Sequence, residues 1–573
     1  MKYRSMRAGT IALAVAGVTV AWVGSAVAEP GPTPATYKQV TFKTQDQEVD
    51  KLIAASNMTK DNDTPARAYT GPTVMAAKPG DPRIVVVATA DLRTKICQLA
   101  VSKDAGHTWH FSEAPPSEPA YPWCTNTSAG TPHASVAWGK DGTLYYAHMA
   151  YGEGDGAVRE TRSSVMLAKT TDLGKKWTTT LVENNRGTTG PQSRNVSSAP
   201  GLTVDTSGER DVVSVGYSVN YPDAPTGDPL RLSHVMVATS VDGGATFAPP
   251  FDLNSLERPS LTINGKAIPL YMRTGFGAPF LYAHDGVLLA VAGPEFAAAD
   301  APQPPPEAGA GLNPGSWYAF PMPQLIARST DQGKTWKMTT LGDPILAGTG
   351  SMTGLGWTPK GGDNGTFVAV YGATPATSPT IALVDIVMQR STDGGVTWSS
   401  PLAIDDDPPE MYATSFYPQL SVAPNGRVDV VWTDDRGLSD YRFNERYTYS
   451  TDGGLTWAKN ILVSDKPINF NYGVSYNSDI RQPNGIASTN SYAIIGWADT
   501  RNANEVSQAQ DNYSVAVQFS PLPTTKNTTA PVVAAIFGGL VLAGIVLLVV
   551  NQMRKRPEGA TPSASTSRVT TGA

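Results

Sequence analysis

Cysteine and histidine are scarce in this chain: two cysteines and six histidines occur among 573 residues. Neither residue type forms a cluster with the spacing that zinc sites need. The sequence therefore predicts no metal site and no cofactor.

The chain also lacks an excess of basic residues. It carries 44 lysines and arginines against 50 aspartates and glutamates. Without residues 1–28 and 554–573, the counts are 37 basic and 49 acidic residues, a net charge of −12. Such a negative body does not attract nucleic acid or acidic lipid through its overall field. We expect no nucleic-acid partner, while a local basic pocket for one small anion remains an alternative.

Long apolar runs are confined to the two ends. Near the start, three basic residues precede an apolar stretch at 11–23 and small residues at 26–28, the order of a secretory signal. Near the end, residues 532–550 are 19 consecutive apolar or small residues, followed at once by basic residues at 554–556. This predicts a single-pass type I protein of the plasma membrane with its globular part outside. An uncleaved N-terminal anchor and a buried core helix are the alternatives.

These features predict the organisation of the chain. We assign a signal peptide to 1–28, a linker to 29–36, one globular domain to 37–519 and a Pro/Thr-rich stalk to 520–530. A transmembrane helix at 531–551 and a cytoplasmic tail at 552–573 follow. The stalk would act as a semi-extended spacer. No second folded domain is predicted, and we expect a monomer.

One motif, Ser/Thr-x-Asp-x-Gly-x-x-Trp/Phe, occurs six times in the globular part. Its copies lie at 102–109, 170–177, 240–247, 329–336, 391–398 and 450–457, and the last two read Ser-Thr-Asp-Gly-Gly-x-Thr-Trp in full. The central aspartates, 59 to 89 residues apart, are Asp104, Asp172, Asp242, Asp331, Asp393 and Asp452. This spacing predicts one four-stranded unit per copy.

The residue types of the motif suit a tight hairpin turn. The aspartate can accept hydrogen bonds from the backbone of its own turn, and the glycine can adopt a positive φ. The tryptophan can anchor the turn in the apolar layer between neighbouring sheets. Strand-like runs flank each copy, so we place the motif between the third and fourth strands of each unit.

The motif is similar to the Asp-box, or bacterial neuraminidase repeat, and residues 37–519 resemble the sialidase-like β-propellers. The resemblance implies an all-β propeller whose Asp-boxes are structural and face away from the active site. Counting strands predicts seven blades, with six as the alternative because known sialidases have six. The seventh set (479–486, 491–497 and 513–519) lacks a motif and a fourth strand. We expect a strand at 37–44 to pair with 513–519 and close the ring.

The face opposite the motifs is where we expect a ligand, because loops converge there. The second strands of blades 1, 6 and 7 end in Asp-x-Arg, at 91–93, 434–436 and 499–501. Residues two apart in a strand point to the same side. The pattern predicts either local ion pairs or the convergence of Arg93, Arg436 and Arg501 on one carboxylate.

Sialidases bind their substrate's carboxylate with three arginines, helped by a Tyr–Glu nucleophile pair and an aspartate acid/base. The resemblance implies these roles for Arg93, Arg436 and Arg501 as the clamp, Asp91, Asp434 or Asp499 as the acid/base, and Tyr417 with Glu410 as the nucleophile pair. The Phe/Tyr-Arg-Ile-Pro motif that carries the family's first arginine is absent from the N-terminal region.

Functions from two classes follow. One is a sialidase-like exo-glycosidase acting on terminal acidic sugars through an oxocarbenium-like transition state. The other is a non-catalytic propeller that binds a carbohydrate or surface-protein ligand. Hydrolysis of a neutral polysaccharide is a third possibility.

Two further features carry structural expectations. Cys97 and Cys124 would lie in blade 1 and its exit loop, and export to an oxidising space predicts a disulfide, with two free buried thiols as the alternative. The three aspartates at 405–407 predict a solvated acidic loop, with a calcium site as the alternative.

Overall fold

The computed structural model describes residues 38–58, 74–91, 96–112, 115, 123–124, 134–151, 163–185, 194–196, 200–221, 224, 234–263, 265–273, 280–297, 321–347, 354–374, 384–408, 413–473 and 484–521. The predicted signal peptide, linker, membrane helix and tail, and the stalk beyond residue 521, lie outside these ranges, as do Arg93 and Glu410. Within these ranges, no helix combines the length and the apolar character needed to cross a bilayer.

The chain up to Ser520 forms seven antiparallel four-stranded blades, which confirms the seven-bladed propeller. From the ring axis outward, the strands are Val74–Ala77, Val85–Asp91, Ile96–Ser102 and His110–Ser112 in blade 1; Ala134–Trp138, Leu144–Tyr151, Ser163–Thr170 and Thr178–Glu183 in blade 2; Gly201–Asp205, Val212–Asn220, His234–Ser240 and Phe251–Asp252 in blade 3; Phe280–His284, Val287–Glu295, Pro321–Ser329 and Lys337–Ala347 in blade 4; Gly354–Thr358, Thr366–Thr374, Asp385–Ser391 and Leu402–Ala403 in blade 5; Ser415–Val422, Val428–Asp434, Arg442–Ser450 and Ile461–Leu462 in blade 6; and Gly485–Ser488, Tyr492–Asp499, Asp511–Phe519 and Val49–Asn57 in blade 7.

Short elements supplement the blades. They are the strands Lys38–Gln39, Thr41–Phe42, Asn195–Val196, Ser260–Ile263, Lys266–Pro269, Tyr271–Arg273, Thr456–Trp457 and Ile468–Asn469, and one 3-10 turn at Leu253–Ser255. The first strand of every blade contacts the first strands of both neighbouring blades, so the seven blades form a closed ring.

An N-terminal strand completes blade 7, but it is not the predicted one. Val49–Asn57 pairs antiparallel with Asp511–Phe519, with Ile53 opposite Ala516. The pairing expected for 37–44 was wrong: Lys38–Gln39 runs parallel to the outer strand Leu402–Ala403 of blade 5, and Thr41–Phe42 runs parallel to the short strand Thr456–Trp457 beside blade 6. The physical reason is side-chain packing, because the segment around residue 40 packs into the apolar layer between blades 5 and 6. Ile53 instead packs into the layer between blades 7 and 1.

A buried polar network holds the N-terminal segment to blades 6 and 7. The Arg427 guanidinium donates to both oxygens of Asp429, at 2.8 and 3.1 Å, and to Gln47 Oε1 at 2.8 Å. Gln47 Nε2 donates to the carbonyls of Asn490 and Ser520, both at 2.9 Å. Polar groups removed from water are stable only when paired, so this network fixes the position of residue 47, two residues before the closing strand.

Second strands are buried on both faces because each lies between two neighbouring blades. In blade 2, Tyr146 packs with Leu99 of blade 1, and Tyr145 packs with Val213 of blade 3. This burial explains the near-continuous apolar run of Val85–Asp91, where every residue is buried.

The six repeated motifs form the turns between third and fourth strands, all at one end of the ring, the bottom face. In each motif, the first hydroxyl and the backbone N–H four residues after the aspartate both donate to Oδ1, at 2.7–2.9 Å. The glycine two residues after the aspartate has φ between 77° and 87° in every copy. The preceding residue is also left-handed, although three motifs place Ala105, Leu173 and Gln332 there.

The two cysteines form the predicted disulfide. Cys97 and Cys124 are bonded, with their Cα atoms 5.6 Å apart. The bond joins the start of the third strand of blade 1 to the connector that leads to blade 2. It therefore lies towards the face opposite the repeated motifs.

Candidate functional site on the top face

The top face lies opposite the motif turns and is formed by loops between second and third strands and by blade-to-blade connectors. In blades 6 and 7 it includes the loops 435–441 and 500–510, together with the connector segments 404–408 and 463–473. Two of the three predicted Asp-x-Arg segments, at 434–436 and 499–501, lie here.

Both Asp-x-Arg segments form the same local turn. Asp434 Oδ1 accepts the backbone N–H of Arg436 at 2.7 Å, and Asp499 Oδ1 accepts that of Arg501 at 2.7 Å. Each guanidinium also donates to the second oxygen of its own aspartate, at 3.1 Å in blade 6 and 2.7 Å in blade 7. Both carboxylates are buried. The aspartate therefore turns the chain at the strand end, and the arginine neutralises it.

The same guanidiniums bind the connector that enters their blade. Arg436 contacts Asp406 at 2.8 Å and Asp407 at 3.2 Å, on the connector from blade 5. Arg501 binds both oxygens of Asp465, at 2.7 and 3.1 Å, on the connector from blade 6. Each arginine thus ties the end of a second strand to the chain segment that precedes its blade.

The electrostatics of the two arginines follow from these contacts. Burial alone would lower the pKa of Arg436, but the charges of Asp434 and Asp407 outweigh it and raise that pKa. Hydrogen bonds to Asp499 and Asp465 likewise outweigh burial and raise the pKa of Arg501. Each guanidinium faces its own set of carboxylates rather than a point shared with the other.

The three consecutive aspartates are not a solvated loop, so that expectation was wrong. Asp405 is buried, and its Oδ2 accepts the backbone N–H of Ile386 at 2.8 Å. Burial raises the pKa of Asp405 and of Asp407. The connector lies beneath Arg436, which the local sequence does not reveal. In the part of the chain that the structure describes, no three metal-ligating side chains are grouped so as to hold an ion.

The other predicted catalytic residues are not brought together within the described residues. Tyr417 lies at a bulge in the first strand of blade 6, with φ 57°, and its ring meets Phe416 edge-on at 5.2 Å between centroids. Asp91 is buried at the end of the second strand of blade 1. Because Arg93 and Glu410 lie outside the described ranges, the blade 1 ion pair and the Tyr417–Glu410 pair stay predictions.

A buried glutamate between blades 6 and 7 was missed by the sequence reasoning. The Thr433 hydroxyl lies 2.9 Å from Glu445 Oε1, and Asn484 Nδ2 donates to Oε2 at 2.6 Å. Burial raises the pKa of Glu445 to about 8, although both hydrogen bonds act in the opposite direction. The carboxyl is therefore mostly protonated at neutral pH. In the sequence, only the position of Glu445 in the alternation of residues 442–450 indicates that its side chain faces the interior.

A tyrosine–glutamate pair also lies between blades 2 and 3. The Tyr217 hydroxyl donates to Glu183 Oε2 at 2.9 Å, and Arg194 Nη2 lies 3.0 Å from Glu183 Oε1. Burial, followed by the charge of Glu183, raises the pKa of Tyr217 well above its ordinary value. The two residues lie 34 positions apart and no motif links them, so this pair could not be predicted from the sequence.

One exposed tyrosine on the top face stands on constrained backbone. Asp440 and Tyr441 have φ values of 60° and 55°, and Tyr441 is 53% exposed. Asn471 Nδ2 donates to the Asp440 carbonyl at 2.8 Å, and the Phe470 N–H donates to that of Tyr441 at 2.9 Å. Left-handed non-glycine residues cost on the order of 1–3 kcal/mol each and persist only where their surroundings enforce them. The backbone that carries Tyr441 is thus held in place, and its side chain is open to solvent.

Comparison with known proteins gives similarity at the level of fold. No family model matches the sequence, and no curated protein matches it. An ulvan polysaccharide lyase is similar at 13% identity, over 80% of this chain and 97% of that one, with a TM-score of 0.43. The arabinanase of Penicillium chrysogenum, complexed with arabinobiose, is 14% identical over 71% of this chain and 95% of that one, with a TM-score of 0.36. Trypanosoma rangeli sialidase is 14% identical over 67% of this chain and 54% of that one, with a TM-score of 0.37.

Proposed function

We propose that this chain is a membrane-anchored extracellular propeller that binds a carbohydrate on its top face without hydrolysing acidic sugars. One observation carries the proposal: Arg436 and Arg501, two candidates for a carboxylate clamp, are already bound by two or three carboxylates each. A substrate carboxylate would have to displace these partners. At Arg501 it would leave the buried Asp499 without its guanidinium, whereas Asp434 would keep its contact with Arg446 at 3.1 Å. That displacement costs about 3–5 kcal/mol for a buried pair.

The surface we infer for the ligand comprises the loops 435–441 and 500–510. Tyr441 is 53% exposed on the first loop, and Val506 is 92% exposed on the second. The connector between blades 6 and 7 supports both loops: the Phe470 N–H donates to Tyr441, and the Gly473 N–H donates to Gln508 Oε1 at 3.1 Å. A surface fixed in advance loses little conformational entropy on binding, and an exposed aromatic ring suits the apolar face of a sugar.

The location is inferred from the sequence. The basic and apolar order of residues 1–28 supports export, and the apolar run at 532–550 with the basic residues after it supports a single membrane anchor.

Two assays on the purified full-length chain test this function. We expect no fluorophore release from a panel of fluorogenic sialosides, and binding of the labelled chain to a printed glycan array. Tyr441→Ala should reduce array binding by about tenfold or more, a loss of about 1.4 kcal/mol or more. Leu455→Ala is the matched control, because Leu455 is similarly exposed, at 54%, but lies on the bottom face. Sialoside turnover that Arg501→Ala abolishes in a stably folded chain would overturn the proposal, and an empty array would point to a protein ligand instead.

Acidic-sugar hydrolysis is the second candidate, and its nucleophile could be one of two tyrosines. Tyr217 and Glu183 form the type of pair that sialidases use as a nucleophile, but the pair is buried between blades 2 and 3, so hydrolysis there requires the substrate to reach a buried hydroxyl. If the chain does release fluorophore, Tyr217→Phe should abolish turnover and Tyr417→Phe should preserve it. The reverse result would assign the nucleophile to Tyr417.

A further inference from the structure

A cavity of about 540 Å³ opens on the bottom face between blades 2 and 3. Its walls are the turns between first and second strands, near residues 140–143 and 209–211, and the motif segments 169–178 and 242–243. Small-ligand sites have volumes of roughly 300–1,000 Å³. The cavity lies at the opposite end of the ring from the top-face residues, and nothing in the proposed function uses it.

Cross-blade hydrogen bonds fix the two walls of this cavity. The Tyr145 hydroxyl donates to Asp211 Oδ2 at 3.0 Å, and the Lys140 backbone N–H donates to Asp211 Oδ1 at 3.0 Å. Lys169 Nζ donates to the carbonyl of Gly243 at 3.0 Å. Tyr145 and Asp211 are buried, so they form a floor held from both blades. The cavity is therefore preformed, and a ligand does not have to order its walls.

A comparison with blades 4 and 5 explains why this cavity is open between blades 2 and 3. Lys169 directly precedes the motif of blade 2, and Arg328 and Arg390 directly precede those of blades 4 and 5. Arg390 makes the corresponding bond to the next motif, to the Gly453 carbonyl at 2.6 Å, but its second arm also donates to the Gly361 carbonyl at 2.8 Å. The planar guanidinium thus bridges a motif and a first-to-second-strand turn. A lysine ends in a single ammonium group and cannot span both partners.

The lining of the cavity is balanced in charge. Four basic and four acidic side chains contribute to it, so no net field selects an anion or a cation. Trp177 and Tyr145 supply aromatic surface, and several threonines supply hydroxyl groups. Aromatic faces suit apolar C–H surfaces, while charged side chains make strong hydrogen bonds to neutral hydroxyls. A sugar is a neutral ligand that has both an apolar C–H face and hydroxyl groups.

We propose that this cavity binds a neutral monosaccharide or disaccharide. Trp177 would lie against a sugar ring, and rim side chains such as Lys176 and Arg210 would form hydrogen bonds with the sugar hydroxyls. The binding is non-covalent. Because this site shares no residue with the top face, it stands whether or not the proposed function is correct.

Titration of the full-length chain with maltose, cellobiose and lactose tests the site, with 3′-sialyllactose as the acidic comparator. The detergent must have no sugar headgroup, and saturation-transfer NMR together with tryptophan fluorescence reports binding. We expect at least one neutral disaccharide to bind more tightly than sialyllactose. Lys169→Arg should weaken it about tenfold or more, or 1.4 kcal/mol, because arginine fills the gap as it does in blade 5. Trp177→Phe should weaken it similarly.

Lys175→Ala is the matched control, since Lys175 is an exposed neighbour of Lys176 that does not line the cavity. It should bind as the unsubstituted chain does. If Trp177→Phe fails to fold, Lys169→Arg still tests the proposal. We expect this variant to fold because blades 4 and 5 carry arginine at the same position. Failure of all three neutral disaccharides to bind, a preference for sialyllactose, or unchanged binding in Lys169→Arg would overturn the proposal. Binding that Tyr441→Ala removes and Lys169→Arg spares belongs to the top face and would also overturn it.

Discussion

Glu445 is a carboxyl buried between two blades, and its proton links the stability of the ring to pH. It is 1% exposed, and its two oxygens are held by Thr433 and Asn484. Burial raises its pKa from 4.5 to about 8. Between these values the folded chain keeps the proton that the unfolded chain has released. Stability from this group therefore falls as pH rises through that window, by up to about 1.4 kcal/mol per pH unit, and levels off above it.

We predict that Glu445→Gln removes this pH dependence. The amide is isosteric and cannot ionise, so the difference in free energy of unfolding between variant and unsubstituted chain should increase from pH 5 to pH 8. Guanidinium denaturation at each pH measures it. Glu505→Gln, at an exposed position, is the control for the chemical change from glutamate to glutamine. A constant difference for Glu445→Gln would show that the carboxyl ionises normally in the folded chain.

At the scale of elements, the Asp-x-Arg turn joins a strand end to the connector before its blade. In blade 7 the two partners of Arg501 differ sharply in burial: Asp499 is fully buried, while Asp465 is 49% exposed. An exposed partner adds little to stability, typically about 0–1 kcal/mol. A buried carboxylate that loses its cation costs about 3–5 kcal/mol.

We predict that Arg501→Ala lowers the free energy of unfolding by about 3–5 kcal/mol, because it leaves Asp499 buried without its guanidinium partner. Asp465→Ala should cost less than about 1 kcal/mol. Urea denaturation of both variants at pH 7 measures this. If Arg501→Ala were as stable as the unsubstituted chain, the contacts of Arg501 with Asp499 and Asp465 would contribute nothing to folding. The guanidinium would then be available to a ligand, and this result would support the carboxylate-clamp interpretation.

The same element shows what sequence alone can predict. The contact of Asp499 with Arg501 is a local property of the chain, because the two residues lie two apart and the Arg501 backbone N–H and guanidinium both donate to the Asp499 carboxylate. The partner Asp465 lies 36 residues away on a connector, and no periodicity encodes that distance. The repeated motifs could be found because each is a self-contained turn, with Ser102 and Thr108 bonded to Asp104 within eight residues. The pairing of Tyr217 with Glu183 depends on the contact between two blades, so it could not be predicted from the sequence.

At the scale of the whole molecule, blade 7 combines three C-terminal strands with one N-terminal strand. The closing strand was misassigned because residues 37–44 and 49–57 both lie near the N-terminus and either could supply an outer strand. Side-chain packing against different interblade layers decides between them. The ring is complete only when residues more than 450 positions apart have paired, as Ser56 and Ser514 do. Such long-range closure makes folding slow relative to locally connected folds.

The most direct test of this closure is a pair of engineered cysteines. Ile53→Cys with Ala516→Cys places thiols on residues that oppose each other across blade 7, whereas Phe42→Cys with Ala516→Cys joins strands that belong to different blades. After oxidation, we predict a peptide linked through positions 53 and 516 in the mass spectrum of the first variant and none linking 42 to 516 in the second. A folded chain that forms the 42–516 link and leaves position 53 unlinked would contradict the seven-bladed closure.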